Sequence, residues 1–124
     1  MSHLSGAQVR VYPEPAQVSE ALAAALLEQM RRAAREHGRC ALVLAGGNTP
    51  RELYRRLGEL SARDPLWRQV EVFFSDERWV GHQSEASNYR MAREALLQHV
   101  PIPARQVHPI ATDAPDPAQA AAQY

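Results

Sequence analysis

The chain has 124 residues, of which 45% are hydrophobic and 23% are charged, a composition typical of one globular domain with its own core. Its 14 basic and 14 acidic side chains cancel, so we expect neither nucleic acid nor a membrane surface as a partner. The absence of a signal-peptide pattern and of a long apolar run, with Cys40 as the single cysteine, predicts a cytoplasmic protein without an internal disulfide.

The N-terminal part of the chain predicts a strand and then a long helix. Gln8 to Tyr12 has the pattern of a short strand, which two prolines end. From Gln17 the apolar spacing predicts a helix to about His37, where Gly38 supplies the stop. The predicted inward face of this helix consists of Val18, Leu22, Ala25, Leu26 and Met30.

The stretch Cys40 to Pro50, CALVLAGGNTP, carries the strongest local signal in the chain. Its unbroken apolar start predicts a strand buried on both faces of a parallel sheet. Gly46 and Gly47 then permit backbone angles that a side chain forbids, and they let a ligand approach the main chain closely. Thr49 is predicted to cap a helix whose first position is Pro50.

A strand, a glycine turn and a capped helix form an anion site, because free N–H groups and the positive end of the helix dipole face the turn. Phosphate is the commonest guest, so we predict that Gly46, Gly47, Asn48 and Thr49 bind a ligand. The same pattern also occurs as a tight connection without any ligand. Nucleotide binding is disfavoured, because the Lys of a Walker A loop and the third glycine of the dinucleotide fingerprint are missing.

The helix after the turn is predicted to have an apolar and a basic face. Its inward residues are Leu53, Leu57 and Leu60, and its outward residues are Arg51, Arg55 and Arg56. We interpret the arginines as a solvated face and not as a nucleic-acid site, because Tyr54 is the only aromatic residue beside them.

A second buried strand is predicted at Val70 to Phe74, and the polar sequence SDERWV follows it. Ligands of open α/β sheets bind outside the carboxyl ends of the strands, so this loop and the glycine turn should converge. Arg78 is suited to grip a phosphate, and Asp76 to orient Arg78, hold a sugar hydroxyl or fix a water. The alternative is a polar loop held by internal ion pairs.

The remainder of the chain predicts two helices and a short strand. Ser87 or Asn88 is predicted to cap the first helix, and Gln106 to Ile110 to form the strand. Asp116 is predicted to cap the second helix, which reaches Tyr124 without a stop signal. We therefore expect the sequence to be the N-terminal piece of something longer.

Three motifs, LAGGNTPRELY, FFSDERWV and SNYRMAREALL, resemble the 6-phosphogluconolactonase family of the pentose phosphate pathway in their order and separations. The resemblance implies the NagB/RpiA-like α/β fold, a Rossmann-like open parallel sheet flanked by helices, with residues 1–124 as the N-terminal part of a single truncated domain. It also implies hydrolysis of 6-phosphoglucono-δ-lactone to 6-phosphogluconate in the cytoplasm, with a sugar phosphate as substrate and without a metal or other cofactor.

The resemblance assigns roles to single residues as well. The glycine turn, with Gly46, Gly47 and Thr49, would hold the substrate phosphate. Asp76 and Arg78 match the family's pair at the substrate site, where Arg78 contacts the phosphate or the charge developing on the lactone. Asn88 matches a position near that site.

One departure from the family concerns the catalytic base. Family members continue to a GxDGHT stretch whose His is the general acid or base, and this sequence does not contain it. The lactone needs a base to activate water and donors to stabilise an oxyanion. His82 lies nearest to SDERWV and is the candidate replacement, whereas His37 and His99 lie at predicted helix ends and His108 in the short strand.

Two alternatives to the lactonase follow. A glucosamine-6-phosphate deaminase would share the fold and the phosphate site, but SDERWV disfavours it. A non-catalytic sugar-phosphate-binding or interaction fragment is favoured by the missing His segment. For such a fragment, the apolar surface that an absent half would cover predicts self-association or poor solubility.

Overall fold

A computed structural model describes residues 6–124, and it folds the chain as helices around a small parallel sheet. The helices are α1 (Pro15–His37), α2 (Asn48–Ser61), α3 (Asn88–Ala95) and α4 (Pro117–Gln123), and the strands are β1 (Cys40–Leu44) and β2 (Val70–Phe74). Single 3₁₀ turns lie at Pro65–Gln69, Leu97–His99 and Ala104–Gln106. None of the helices in residues 6–124 is long and apolar enough to cross a bilayer.

The two strands pair in parallel, with Cys40 opposite Val70 at one end and Leu44 opposite Phe74 at the other. Parallel strands need a crossover, and α2 supplies it. The glycine turn and the loop that starts at Ser75 therefore leave the sheet at the same edge. This arrangement confirms the predicted α/β class and the predicted positions of both strands.

The predicted third strand at Gln106 to Ile110 is reduced to one bridge. Val107 bridges Val72 in parallel, and the N–H of His108 donates to the Val72 carbonyl at 2.9 Å. Pro109 follows without an N–H group, so the ladder cannot continue there. The prediction was right about the place and wrong about the length.

One face of the sheet is covered and the other is open. The alternate residues Cys40, Leu42 and Leu44 of β1 are buried, but Val43 between them is 59% exposed. The prediction that β1 is buried on both faces is wrong, because Val43 is exposed on the second face, where its register partner Phe73 is half-buried against His108 and Tyr124.

Helix α1 has the predicted end but a different inward face. Gly38 closes it in the left-handed conformation at φ 73°, and its N–H donates to the Ala34 carbonyl at 2.9 Å. The buried residues are Ser19, Ala23, Leu27, Met30 and Ala34. Val18 and Leu22 are 41% and 49% exposed and Ala25 is exposed as well, so the predicted inward face was wrong for these three and confirmed for Met30. The small residues Ala23 and Ala34 instead allow close packing of α1 on its neighbours.

Residues 8 to 12 do not form the predicted strand. Their backbone lies outside regular structure, and Val9 and Val11 are 82% and 89% exposed. A strand is stable only when it pairs with another strand, and within residues 6–124 this segment has no such neighbour.

The core lies between the covered face of the sheet and helices α1, α2 and α3. Trp67 and Leu57 are fully buried, and the Trp67 indole N–H donates to the Ser61 hydroxyl at 3.1 Å. In α2 the inward prediction is confirmed for Leu57 and wrong for Leu60, which is 52% exposed. The buried face of α2 contains Tyr54 instead. The predicted cap of α4 is confirmed, since the Asp116 carboxylate accepts from the Gln119 N–H at 2.8 Å.

Candidate functional site

The glycine turn leads from β1 directly into an uncapped helix. Gly47 is the N-cap residue of α2 and has φ 110°, a conformation that favours glycine. The predicted cap, Thr49, lies inside the first turn of the helix, so this prediction is wrong. Within residues 6–124, no side chain or carbonyl accepts a hydrogen bond from the N–H groups of Asn48 and Thr49. These donors are available to an anion.

Tyr54 fixes the backbone where β1 enters the turn. Its side chain is 4% exposed, and its hydroxyl accepts from the Ala45 N–H at 2.7 Å and donates to the Ala45 carbonyl at 2.9 Å. Burial raises the pKa of the Tyr54 phenol, and the backbone hydrogen bond partly opposes this shift. Tyr54 was considered only as a neighbour of the arginines, because a hydrogen bond to a strand end has no local sequence signal.

Asn88 joins the two loops at this edge of the sheet. Its side-chain N–H₂ group donates to the Asp76 carboxylate at 3.0 Å and to the Asp76 carbonyl at 3.3 Å. A methyl group at Gly46 would lie 2.2 Å from the Asn88 Oδ1 atom, so the carboxamide lies directly against the Gly46 backbone. The predicted convergence of the glycine turn with the loop after β2 is therefore observed at Gly46 and Asp76, and Asn88 lies between them.

Glu77 organises the loop after β2, and the sequence analysis gave it no role. Its carboxylate accepts from the N–H groups of Arg78 at 2.8 Å, Asn88 at 2.6 Å and Tyr89 at 2.9 Å. The Ser87 hydroxyl also donates to it at 3.2 Å. Ser87 is the N-cap of α3, as one of the two predicted alternatives had it, and accepts from the Arg90 N–H at 3.2 Å. The start of α3 is thus filled by groups of the protein itself.

Arg78 extends from the same loop into solvent. Its residue is exposed, and within residues 6–124 its guanidinium forms no ion pair or hydrogen bond with the glycine turn or with Asp76. The alternative was that Asp76, Glu77 and Arg78 form a polar loop held by internal ion pairs. The described residues do not show such pairs, because Asp76 and Glu77 accept hydrogen bonds from amide and hydroxyl groups instead. Arg78 remains a cation at the edge of the site.

Three of the histidines are bonded to groups outside the site. His82 is 2.8 Å from the Ile110 carbonyl oxygen through Nε2, and its ring centroid lies 4.8 Å from that of Tyr89. His99 contacts the Glu94 carbonyl at 2.8 Å, as its position near a helix end predicted. His108 lies 2.6 Å from the Glu71 carboxylate. The arrangement of His82 is that of a loop anchor.

Two surface grooves of the described residues are lined by residues outside the glycine turn. One groove of about 570 Å³ lies between α2 and α3, and a second of about 340 Å³ lies between the end of β2, Trp79 and α4. The chemical groups described above meet at an open edge of the sheet and not in either groove. Within residues 6–124, no three His, Cys, Asp or Glu side chains are grouped to hold a metal ion.

Comparisons with known proteins agree with the fold. Residues 13–124 match the family of glucosamine-6-phosphate isomerases/6-phosphogluconolactonase. A 6-phosphogluconolactonase from Synechocystis is 43% identical over 97 residues, which are 77% of this chain and 39% of that protein. A crystal structure of 6-phosphogluconolactonase from Thermotoga maritima matches with a TM-score of 0.78 at 31% identity, over 86% of this chain and 47% of that one.

A monomeric glucosamine-6-phosphate deaminase matches with a TM-score of 0.70 at 20% identity, over 94% of this chain and 46% of that one. At this identity the likeness shows the fold alone. Together with the lactonase structures it confirms the predicted fold class. The chain spans less than half of the length of each of these three relatives.

Proposed function

The chain belongs to the glucosamine-6-phosphate isomerase/6-phosphogluconolactonase family, and we propose that it provides the phosphate-binding half of a 6-phosphogluconolactonase site. The reaction is the hydrolysis of 6-phosphoglucono-δ-lactone to 6-phosphogluconate, an ester hydrolysis of carbohydrate metabolism. The observation that carries the proposal is the open start of α2 beside the Gly46–Gly47 turn. The relatives that match at 43% and 31% identity are named 6-phosphogluconolactonase.

The two helices that begin at this edge of the sheet differ in what occupies their first turn. The start of α3 already holds the Glu77 carboxylate and the Ser87 hydroxyl. The start of α2 holds no such group, and its N–H donors and dipole favour a negative charge. We therefore place the substrate phosphate at α2, against Gly46, Gly47, Asn48 and Thr49.

The loop after β2 supplies the side chains that act on the sugar. We assign Arg78 to the phosphate or to the oxyanion that develops on the lactone, because a guanidinium can fork around either. Asp76 is held in place by Asn88 and is suited to bind a sugar hydroxyl or a water. We assign activation of the water to the His of the family's GxDGHT segment, which this sequence does not contain, because His82 is engaged by the Ile110 carbonyl.

The test is calorimetric binding of 6-phosphogluconate to the 124-residue chain and to Arg78→Ala. Loss of charged hydrogen bonds worth about 1.5–3 kcal/mol should weaken binding roughly tenfold or more. The matched control is Arg68→Ala, since Arg68 is exposed and lies at the opposite end of β2. No binding by the chain, or equal binding by Arg78→Ala and the wild type, would contradict the proposal.

A second candidate function is binding without turnover, and the engagement of His82 favours it for the chain by itself. A lactonase assay coupled to 6-phosphogluconate dehydrogenase, with spontaneous hydrolysis subtracted, separates the two. Turnover by the 124-residue chain would require a base among its own residues, and His82→Gln would then be the first variant to assay.

We also propose that the protein is cytoplasmic and binds no nucleic acid. We further propose that the isolated chain self-associates through the face of the sheet that carries Val43. Val43 is 59% exposed on that face, and apolar surface of this kind favours burial against a second copy. Light scattering after size-exclusion chromatography should give a molar mass above the 13.8 kDa of one chain, and the mass measured for Val43→Lys should be closer to that of a monomer. A wild-type monomer at all concentrations would contradict self-association.

A further inference from the structure

We propose that Glu77 is a positioning residue of this site, which holds Asn88 and, through Asn88, fixes Asp76 against the Gly46 turn. The geometry belongs to the chain whatever its ligand is, and the use of 6-phosphogluconate as a probe rests on the proposed function. The Glu77 carboxylate bonds to backbone N–H groups and to the Ser87 hydroxyl, and not to the Arg78 guanidinium or the Asp76 carboxylate. Its effect on substrate binding is therefore indirect.

Both oxygens of the Glu77 carboxylate are occupied. One accepts from the N–H groups of Arg78 at 2.8 Å and Asn88 at 2.6 Å, and the other accepts from the Tyr89 N–H at 2.9 Å and the Ser87 hydroxyl at 3.2 Å. A carboxylate offers about four acceptor positions on two oxygens. A carboxamide offers only one acceptor oxygen. Its N–H₂ group would replace the second oxygen and would face the donors that this oxygen accepts from. The chemistry therefore requires a carboxylate at this position.

Glu77 accepts a hydrogen bond from the backbone N–H of Asn88, and Asn88 is the residue that connects the two loops. The Asn88 side chain donates to Asp76, and its carboxamide occupies the space where a Cβ atom of residue 46 would stand. Asn88 is 9% exposed, so it has little freedom to adjust. A shift at the start of α3 would either press the carboxamide onto Gly46 or release the Asp76 carboxylate.

Glu77 also sets the direction of its two neighbours in the chain. Asp76 and Arg78 flank a side chain whose carboxylate is fixed by bonds to residues ten to twelve positions further along the sequence. The Glu77 carboxylate thereby ties the backbone between Asp76 and Arg78 to the start of α3. Without it, the bonds from Asn88 to Asp76 would be the remaining link between this segment and α3.

The experiment compares Glu77→Gln with Glu85→Gln, which removes the same charge from the same loop. Glu85 is exposed, and within residues 6–124 its carboxylate makes no hydrogen bond or ion pair. Binding of 6-phosphogluconate is measured where both variants are folded by circular dichroism. We expect Glu77→Gln to bind about tenfold more weakly and Glu85→Gln to bind within about twofold of the wild type. Equal affinity of folded Glu77→Gln and wild type would overturn the proposal.

The chemical shifts of single amides, measured by nuclear magnetic resonance of the free chain, supply a second readout. They should not change if Glu77 only stabilises the fold. We expect the Asn88 side-chain amide and the Gly46 backbone amide to shift in Glu77→Gln and to keep their positions in Glu85→Gln. Unchanged resonances of both groups would overturn the proposal even if the wild-type chain binds no 6-phosphogluconate. Absence of wild-type binding with shifted resonances would refute the proposed function and support the positioning role.

Glu77→Asp keeps the charge and shortens the side chain by one methylene, so it serves if Glu77→Gln does not fold. We expect it to retain the capping of α3 in part, with affinity between those of Glu77→Gln and the wild type. Resonances of Asn88 and Gly46 that match the wild type, together with weakened binding, would show that Glu77 acts by another route and would overturn the proposal.

Discussion

Replacement of Gly46 by alanine tests whether the two loops meet as closely as the structure shows. The added methyl group would lie 2.2 Å from Oδ1, 2.5 Å from Cγ and 2.8 Å from Nδ2 of Asn88. Ordinary contact requires about 3.4 Å, so the carboxamide must move by about 1 Å. It cannot do so freely, because its N–H₂ group donates to Asp76 at 3.0 Å and 3.3 Å.

The expected cost follows from these two constraints. Overpacking of a closed contact costs about 1–3 kcal/mol, and each hydrogen bond lost costs about 0.5–1.5 kcal/mol. Since the chain relieves the clash at the expense of either the packing or the two hydrogen bonds, we expect Gly46→Ala to lower the free energy of unfolding by about 1–3 kcal/mol. Urea denaturation followed by circular dichroism measures this change.

Gly81 is the matched control, since a methyl group there meets no atom within 4 Å. Gly81→Ala should leave the free energy of unfolding unchanged or raise it by up to about 1 kcal/mol. In an Asn88→Ala background the Gly46→Ala change should cost less than about 1 kcal/mol, because the obstructing carboxamide is gone. A Gly46→Ala effect below about 0.5 kcal/mol in the wild-type background would refute the close contact.

Three further predictions concern single groups outside this contact. Tyr54→Phe leaves the backbone groups at the end of β1 without a partner and should cost about 1–3 kcal/mol in urea denaturation. The N–H of Leu66, and then Arg31, lower the pKa of Asp64, so Asp64 stabilises the fold above its unfolded pKa and this contribution is lost as pH falls through the folded pKa. The difference in stability between wild type and Asp64→Asn should accordingly be present at neutral pH and vanish in acid; a constant difference would contradict it. Burial raises the pKa of the Cys40 thiol, so a disulfide reagent should modify Cys40 far more slowly in the native chain than in guanidinium chloride.

The features that sequence predicted well are those whose partners lie within one helical turn. Gly38 ends α1 through a bond to a carbonyl four residues earlier, and Asp116 caps α4 through an N–H three residues later. The convergence of Gly46 with the loop after β2 was also predictable, because parallel strands end at one edge. Only general rules of chain geometry are needed for these.

The features that sequence missed depend on distant partners. Three of the four groups that donate to the Glu77 carboxylate, those of Ser87, Asn88 and Tyr89, lie ten to twelve residues later in the chain, so no capping rule identifies Glu77. Tyr54 bonds to a backbone nine residues earlier across the turn. Thr49 was chosen as a cap because it precedes Pro50, but the helix begins at Asn48, and Gly47 takes the cap position without offering a side chain.

The remaining errors share a physical cause. Several large apolar residues are exposed in residues 6–124, namely Val9, Val11, Val18, Leu22 and Val43. A parallel sheet is normally covered on both faces, and an isolated strand needs a partner, so these residues have the pattern of surfaces made for burial. The matched residues of the chain cover 39% of one lactonase and 47% of another. The apolar pattern is therefore informative where it disagrees with the burial observed, because it marks exposed apolar surface within residues 6–124. The glycine turn and Glu77 lie at the carboxyl edge of the sheet, where α2 and α3 begin, so the candidate site is formed although Val43 on one face of the sheet is exposed.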